Sequence, residues 1–301
     1  MSDAIRVGLV GFGYASKTFH APLIGGTPGM ALKAVASSDA DKVHADWPGV
    51  KVMSAPGDLL DDPDIDLVVI ATPNDTHFPL AKAALEAGLH VICEKPLCFT
   101  AEEARELVDL SKKQNKIVGV TYGYAGYQMI QQARQMIADG LLGEIRIVNM
   151  QFAHGFHNQA VELQAESTRW RVTPKFAGPS YVLGDLATHP LFVAETMAPQ
   201  LNIKRLMCSR QSFVPSRAPL EDNAFVLMEY DNGAVGSMWT SAVNSGAMHS
   251  QKVRIVGEKA SIEWWDEHPN QLSYEVQGEP ARILERGMPY LSPNAQIGRA
   301  S

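Results

Sequence analysis

Over its first 120 residues the chain alternates short β-branched runs with segments of helical period, a rhythm that calls for βαβ units on a parallel sheet. Strands are expected at 6–10, 32–37, 50–54, 67–70, 90–93 and 116–121. Between them, "HFPLAKAALEAG" repeats Leu80, Ala83, Ala84 and Ala87 at helical spacing and stops at Gly88. A second helix is expected over 101–114, where Thr100 and Glu103 have the spacing of a capping box. From Tyr122 the rhythm changes. A helix over 127–139, closed by Gly140, leads into "EIRIVNMQFAHG" and then into strands at 203–208, 223–230, 234–241, 252–256 and 261–265. In "NAFVLMEYDNGAVGSMWTS" two strand-like runs flank "DNG", a hairpin signal. The expected fold class is α/β, a doubly wound parallel sheet with helices on both faces, followed by a second domain on a mostly antiparallel sheet with few helices.

A chain of 301 residues divides naturally into two domains. The boundary is expected between 1–121 and 122–301. Two domains leave a cleft, the default place for a small ligand. A net charge of −7, from 26 basic and 33 acidic residues without a basic block, disfavours a nucleic-acid partner. Cys93, Cys98 and Cys208 have no CxxC spacing, so neither a disulfide framework nor a zinc site is suggested. The amino-terminal segment lacks the form of a signal peptide, and no apolar run is long enough for a membrane span. A cytoplasmic protein with a small-molecule substrate is expected.

Four motifs carry chemistry. "GFGYAS" sets Gly11, Gly13 and Ser16 at GxGxxS spacing between a strand and a helix, with Phe12, Tyr14 and Ala15 completing the loop. Gly11 would allow the tight turn, Gly13 would admit a pyrophosphate to the backbone, and Ser16 would be small enough for helix packing. At the end of the second strand, Ser37, Ser38 and Lys42 offer two hydroxyls and an ammonium to a 2′-phosphate, favouring NADP over NAD. "SSD" reads equally as an N-capping turn. "ATPNDTH" places Thr72, Pro73, Asn74 and His77 at another carboxyl end, as cofactor contacts or as an ordinary turn with a surface histidine. In "EKP", Pro96 keeps Lys95 extended, so its amine projects from the fifth strand as an acid/base or polarising group; Glu94 would bond ribose or hold the amine.

In "GDLATH", Asp185 and His189 stand four residues apart and share a face if helical. The carboxylate would orient a hydroxyl and the imidazole would take its proton. No third ligand motif accompanies the pair, so a metal site is not expected.

In this order, GFGYAS, ATPNDTH, EKP and GDLATH resemble the Gfo/Idh/MocA family, named for glucose-fructose oxidoreductase, inositol dehydrogenase and rhizopine catabolism. The resemblance implies an NAD(P)-dependent dehydrogenase of sugars or cyclic polyols, with a dinucleotide-binding Rossmann domain over 1–121, an α/β domain on a large, mostly antiparallel open sheet for substrate and assembly over 122–301, and Lys95, Asp185 and His189 as the catalytic trio. It also implies a cis Lys95–Pro96 bond, and Arg169 and Trp170 of "RWRVTPKFAG" near substrate or nicotinamide, with Tyr124, Tyr127, His154 and His157 as looser pocket candidates. Ser16 stands where the family has glycine or alanine. Family members usually continue further than this chain, whose final "PYLSPNAQIGRAS" reads as a loop; a shortened or incomplete member is expected. Trp239, Trp264 and Trp265 are expected on the open sheet face, covered in a homodimer or homotetramer, or else packed within the domain. Two rival readings are a non-catalytic NADP-binding redox sensor and a dehydrogenase of a non-carbohydrate substrate. A sensor would not need Lys95, Asp185 and His189 together.

Overall fold

The computed structural model describes residues 4–164 and 169–296. The chain divides into two compact units, Met1–Thr121 with Lys175–Gly178, and Tyr122–Pro174 with Pro179–Ser301.

In the first unit, β1 (Ile5–Val10), β2 (Met30–Ala36), β3 (Lys51–Met53), β4 (Leu67–Ile70), β5 (His90–Cys93) and β6 (Val118–Val120) form one sheet in the order β3-β2-β1-β4-β5-β6. Every neighbouring pair is parallel. The connecting helices are α1 (Ala21–Gly26), α2 (Ala40–Asp46), α3 (Pro56–Leu60), α4 (His77–Glu86) and α5 (Ala101–Gln114). β4 can read LVVI without a polar residue because both its faces are covered. Val68 and Ile70 pack with Ala81 and Leu85 of α4 and Leu107 of α5. Val69 packs on the opposite face with Ile24 of α1 and Val43 of α2. The capping box of α5 is present: Thr100 Oγ1 accepts from Glu103 N and Glu103 Oε2 accepts from Thr100 N, both at 3.1 Å. Strand order reverses between β1 and β4, and this switch point opens a crevice at the carboxyl ends of the strands.

The second unit is built on β7 (Ile145–Ala153), β8 (Ile203–Gln211), β9 (Asn223–Tyr230), β10 (Val235–Ser241), β11 (Lys252–Gly257), β12 (Ala260–Trp265), β13 (Gln271–Val276) and β14 (Arg282–Glu285). Their order is β14-β13-β12-β11-β7-β10-β9-β8. All pairs are antiparallel except β7 with β10. The "DNG" hairpin joins β9 to β10, with Gly233 in the left-handed region (φ 89°). α6 (Gln128–Ala138) and α8 (Thr188–Met197), the latter preceded by the short α7 (Pro174–Ala177), bring Met129, Ile130, Val193 and Met197 onto one sheet face. Among the described residues, no helix is long and apolar enough to cross a membrane.

One expectation is corrected, and two strands had no counterpart in the sequence reading. Trp264 is fully buried in the helix-covered core, against Tyr127 at 5.7 Å between ring centroids, and not on the open face. The reason is strand parity, since consecutive residues point to opposite faces and Trp264 and Trp265 cannot share one. Trp239 does lie on the open side, stacked at 5.9 Å on the exposed Phe225. β13 and β14 were not anticipated, because their charged residues interrupt the apolar alternation. The segment read as a loop near the end is one, apart from a 3₁₀ turn over Pro293–Ala295, and it docks: Leu291 and Ala295 are buried, and Ser292 N and Oγ donate to Gln132 Oε1 of α6 at 2.8 and 2.9 Å. Residues 297–301 lie outside the described part. Replacing Trp264 by Ala is expected to cost about 3–5 kcal/mol, checked by urea unfolding followed by circular dichroism.

Candidate active site

The crest of the first unit gathers four loops at the carboxyl ends of β1, β2, β4 and β5. Gly11 holds φ at 89°, and a Cβ there would lie 2.5 Å from the Ala71 carbonyl oxygen. Only glycine serves at this crossing of the loops after β1 and β4. Ser16, fully buried, closes the loop by donating from Oγ to Gly11 O at 2.9 Å. Gly13 is exposed, and a Cβ placed on it would meet nothing within 4 Å. Its backbone is therefore open to a ligand, as a pyrophosphate requires. Phe12 is buried in the core and offers only its backbone, whereas Tyr14 is 75 % exposed. The donor groups fit a dinucleotide.

At the end of β2, Asp39 caps α2, its Oδ1 accepting from Lys42 N at 2.9 Å. Ser37 Oγ lies 3.2 Å from Asp39 N, completing the capping turn that "SSD" allowed. The side chains of Ser38 and Lys42 are exposed. After β4, Thr72 Oγ1 and Thr76 Oγ1 are 2.6 Å apart, and Thr76 Oγ1 donates to Pro73 O at 2.7 Å, leading into a single 3₁₀ turn over Asn74–Thr76. His77 is not a surface residue. It is fully buried, with Nδ1 2.7 Å from Pro96 O and Nε2 2.9 Å from Thr72 O, so its ring ties the "TPN" loop to the "EKP" loop.

Glu94 and Lys95 follow β5, and the Lys95–Pro96 peptide is cis. The Glu94 carboxylate is held by the unit's own donors: His20 Nε2 lies 2.7 Å from Oε1, and Lys95 N donates to Oε2 at 3.2 Å. Burial pushes the Glu94 carboxyl up, but the side chains of His20 and Thr121, and then the charges of His20 and Lys95, bring it below its ordinary value. An ionised carboxylate with both oxygens engaged steadies the lysine and has less to offer a ribose. His20 was not anticipated, because its partner is 74 residues away and nothing in the local pattern marks it.

In the second unit, Asp185 lies on one turn of π-helix, Leu183–Ala187, which runs directly into α8 and His189. Glu221 holds the start of that turn: its Oε1 accepts from Ser180 Oγ at 2.5 Å, Tyr181 N at 3.1 Å and Leu183 N at 3.0 Å. The His189 ring sits among aromatic rings, 5.0 Å from Tyr124, 5.7 Å from Tyr122 and 5.9 Å from Phe152 between centroids. Asp185 Oδ2 is 3.9 Å from Arg171 Nε. Arg171 also packs 4.4 Å over the Trp170 ring. Arg169 is exposed and donates from Nε to Glu162 O at 3.3 Å.

The loop before Arg169 is anchored by a buried charge network that sequence reasoning missed. Arg217 donates from Nη2 to Gln159 O at 2.6 Å and pairs with Glu162 at 3.2 Å and Asp222 at 3.5 Å. A buried guanidinium so matched keeps its partners from being stranded. His157 bonds Tyr181 through Nδ1 and the phenol oxygen. Burial, then the charges of Arg217 and Arg171, lowers the His157 pKa. Burial, and after it His157, brings His154 down to about 4, while Asp185 opposes the shift. Burial, and after it Asp266, pushes Tyr124 up to about 12.

The His154 shift has a definite sign for stability. Between pH 6.5 and about 4 the unfolded chain binds a proton on this residue that the folded chain refuses, so the contribution is complete above 6.5 and fades as pH falls toward 4. On the order of 3 kcal/mol is involved. His154→Gln is expected to flatten this part of the stability–pH curve, checked by denaturant midpoints between pH 7 and 4.

The sequence matches the oxidoreductase family's NAD-binding Rossmann fold over residues 5–122 and its C-terminal alpha/beta domain over residues 134–297. It is 59 % identical over 228 residues to YfiI, an uncharacterised oxidoreductase of Bacillus subtilis, covering 75 % of this chain and 58 % of that protein. The chain thus spans less than two thirds of that relative's length. Two solved structures of an inositol dehydrogenase homologue from Azotobacter vinelandii superpose on all of this chain and 80 % of their own. One, complexed with NAD+, is 54 % identical with a TM-score of 0.92. The other, complexed with NADH and myo-inositol, is 52 % identical with a TM-score of 0.90. On both its domains, the chain belongs to the Gfo/Idh/MocA oxidoreductase family.

Proposed function

We propose that this protein is a dehydrogenase that oxidises a secondary hydroxyl of a cyclic polyol of the inositol class, with a nicotinamide dinucleotide as hydride acceptor. The observation that carries the reading is the crest of the first unit, where the open Gly13 backbone and the "TPN" and "EKP" loops stand at the carboxyl ends of one parallel sheet. The inositol class is supported by the myo-inositol complex of the 52 % identical structural relative.

The dinucleotide, when bound, supplies the acceptor for hydride from the carbinol carbon; the hydroxyl proton must leave to a base. His189 is assigned that proton, on a ring whose aromatic neighbours limit access by water. Lys95 is assigned to hold the reacting oxygen and stabilise the charge that develops on it. Asp185, beside Arg171, orients a hydroxyl as an acceptor.

For the adenosine ribose, the hydroxyls of Ser37 and Ser38 and the ammonium of Lys42 support NADP, while two observations favour NAD. Asp39 holds a carboxylate in the same turn, which would repel a 2′-phosphate, and the 54 % identical relative is complexed with NAD+. NAD is the preferred reading. The exposed Phe225 and Leu227, with Trp239, are assigned to contact with a second copy of the chain.

Mixing the protein with NAD and a panel of inositols and pyranoses should give reduced nicotinamide absorbance with at least one inositol; none across the panel would overturn the reading. Lys95→Ala and His189→Ala are expected to lower kcat about 10²–10⁴-fold while NADH binding, followed by fluorescence, is kept. Asp39→Ala should raise the NADP-to-NAD ratio of kcat/KM roughly tenfold. Light scattering should show a dimer or tetramer that Leu227→Arg reduces to monomers.

A further inference from the structure

We propose that His20 is a positioning residue which, acting through Glu94, sets the Lys95 main chain and couples it to the dinucleotide loop. The inference rests on the assignment of Lys95 to the reaction. The glycine loop runs directly into one turn of π-helix, Ser16–His20, closed by Ala21 N donating to Ser16 O. Such wide turns inside helices concentrate at functional places. Here the turn begins at the buried Ser16, which fastens Gly11, and ends at His20, which lies 2.7 Å from Glu94 Oε1.

The other carboxylate oxygen takes the Lys95 N–H at 3.2 Å. The two oxygens of a planar carboxylate move together. With both held, the Glu94 plane is fixed, and so is the peptide from which the Lys95 side chain departs. The side chains of His20 and Glu94 are only 11 % and 21 % exposed, so water competes little for the bond. Removing the imidazole takes away the partner that Oε1 has at 2.7 Å, leaves the carboxylate freer to turn and loosens its hold on the Lys95 amide. A chain of contacts therefore leads from Gly11 through Ser16 and His20 to Glu94 and Lys95, all within the first unit.

The test compares wild type, His20→Ala, His20→Gln and Lys95→Ala. A glutamine amide nitrogen reaches the place of Nε2 and can donate to Glu94. Turnover is measured with NAD and myo-inositol, binding with NADH by fluorescence, and Lys95 reactivity by mass spectrometry after brief reductive methylation of the protein without added cofactor. His20→Ala is expected to lower kcat on the order of 10- to 100-fold, the scale of a small misplacement of a reacting group. NADH affinity should change less than about threefold, and Lys95 methylation should differ measurably from wild type. His20→Gln should restore kcat to within about fivefold and return methylation to the wild-type rate. Unchanged kcat and methylation in His20→Ala would overturn the inference, as would equal losses in both His20 variants or a loss confined to NADH binding. Should wild type turn over no polyol at all, the proposed function fails, and the methylation comparison still decides whether His20 governs Lys95.

Discussion

The first unit depends on a single close crossing, where the turn after β1 passes the carbonyl of Ala71 after β4 with no space for a side chain at Gly11. This happens at the point where strand order reverses, so the two loops diverge immediately afterwards and leave the crest open. Ser16 fastens one side of the opening through the Gly11 carbonyl, and His77 fastens the other through the Thr72 and Pro96 carbonyls. The exposed Gly13 backbone is thus held by neighbours whose own polar groups are already committed. Rigid support beneath an open backbone is what anion recognition requires.

The second unit reaches a comparable result with buried carboxylates. Glu221 gathers three donors at the start of the turn that carries Asp185, and Arg217 joins Glu162 to the Gln159 carbonyl on the loop leading toward Arg169. Neither group needs to meet a ligand. In each, protein donors stand in for part of the water around a charge, and the held carboxylate or guanidinium then pins an irregular backbone segment. His154 and His157, held toward their neutral forms by burial, can accept hydrogen bonds near Asp185 without adding positive charge.

Much of the architecture was legible because it is local. The strand runs, the Thr100 capping box and the "DNG" turn are decided by residues within a few positions of one another. The glycine loop was legible for the same reason. What stayed hidden is long-range pairing: His20 with Glu94, Arg171 with Asp185, Glu221 with the turn at 180–183. Polar side chains of this kind carry no periodicity, and their partners become evident only when the fold brings them together. The tryptophan expectation failed on simple geometry, because adjacent strand residues cannot face the same way. The N-capping turn that "SSD" allowed is also local and is present, with the Asp39 carboxylate accepting from Lys42 N.

The parallel pairing of β7 with β10 has a bearing on how the second unit comes into being. Ser237 and Asn149 are bonded side by side although 88 residues separate them, and β7 takes its other neighbour from β11, later still. The middle of the sheet therefore cannot assemble as it emerges from the ribosome, because its first strand must wait for partners not yet synthesised. Local hairpins such as β9 with β10 can form early, but the platform on which α6 and α8 rest is completed by a late, entropically costly closure.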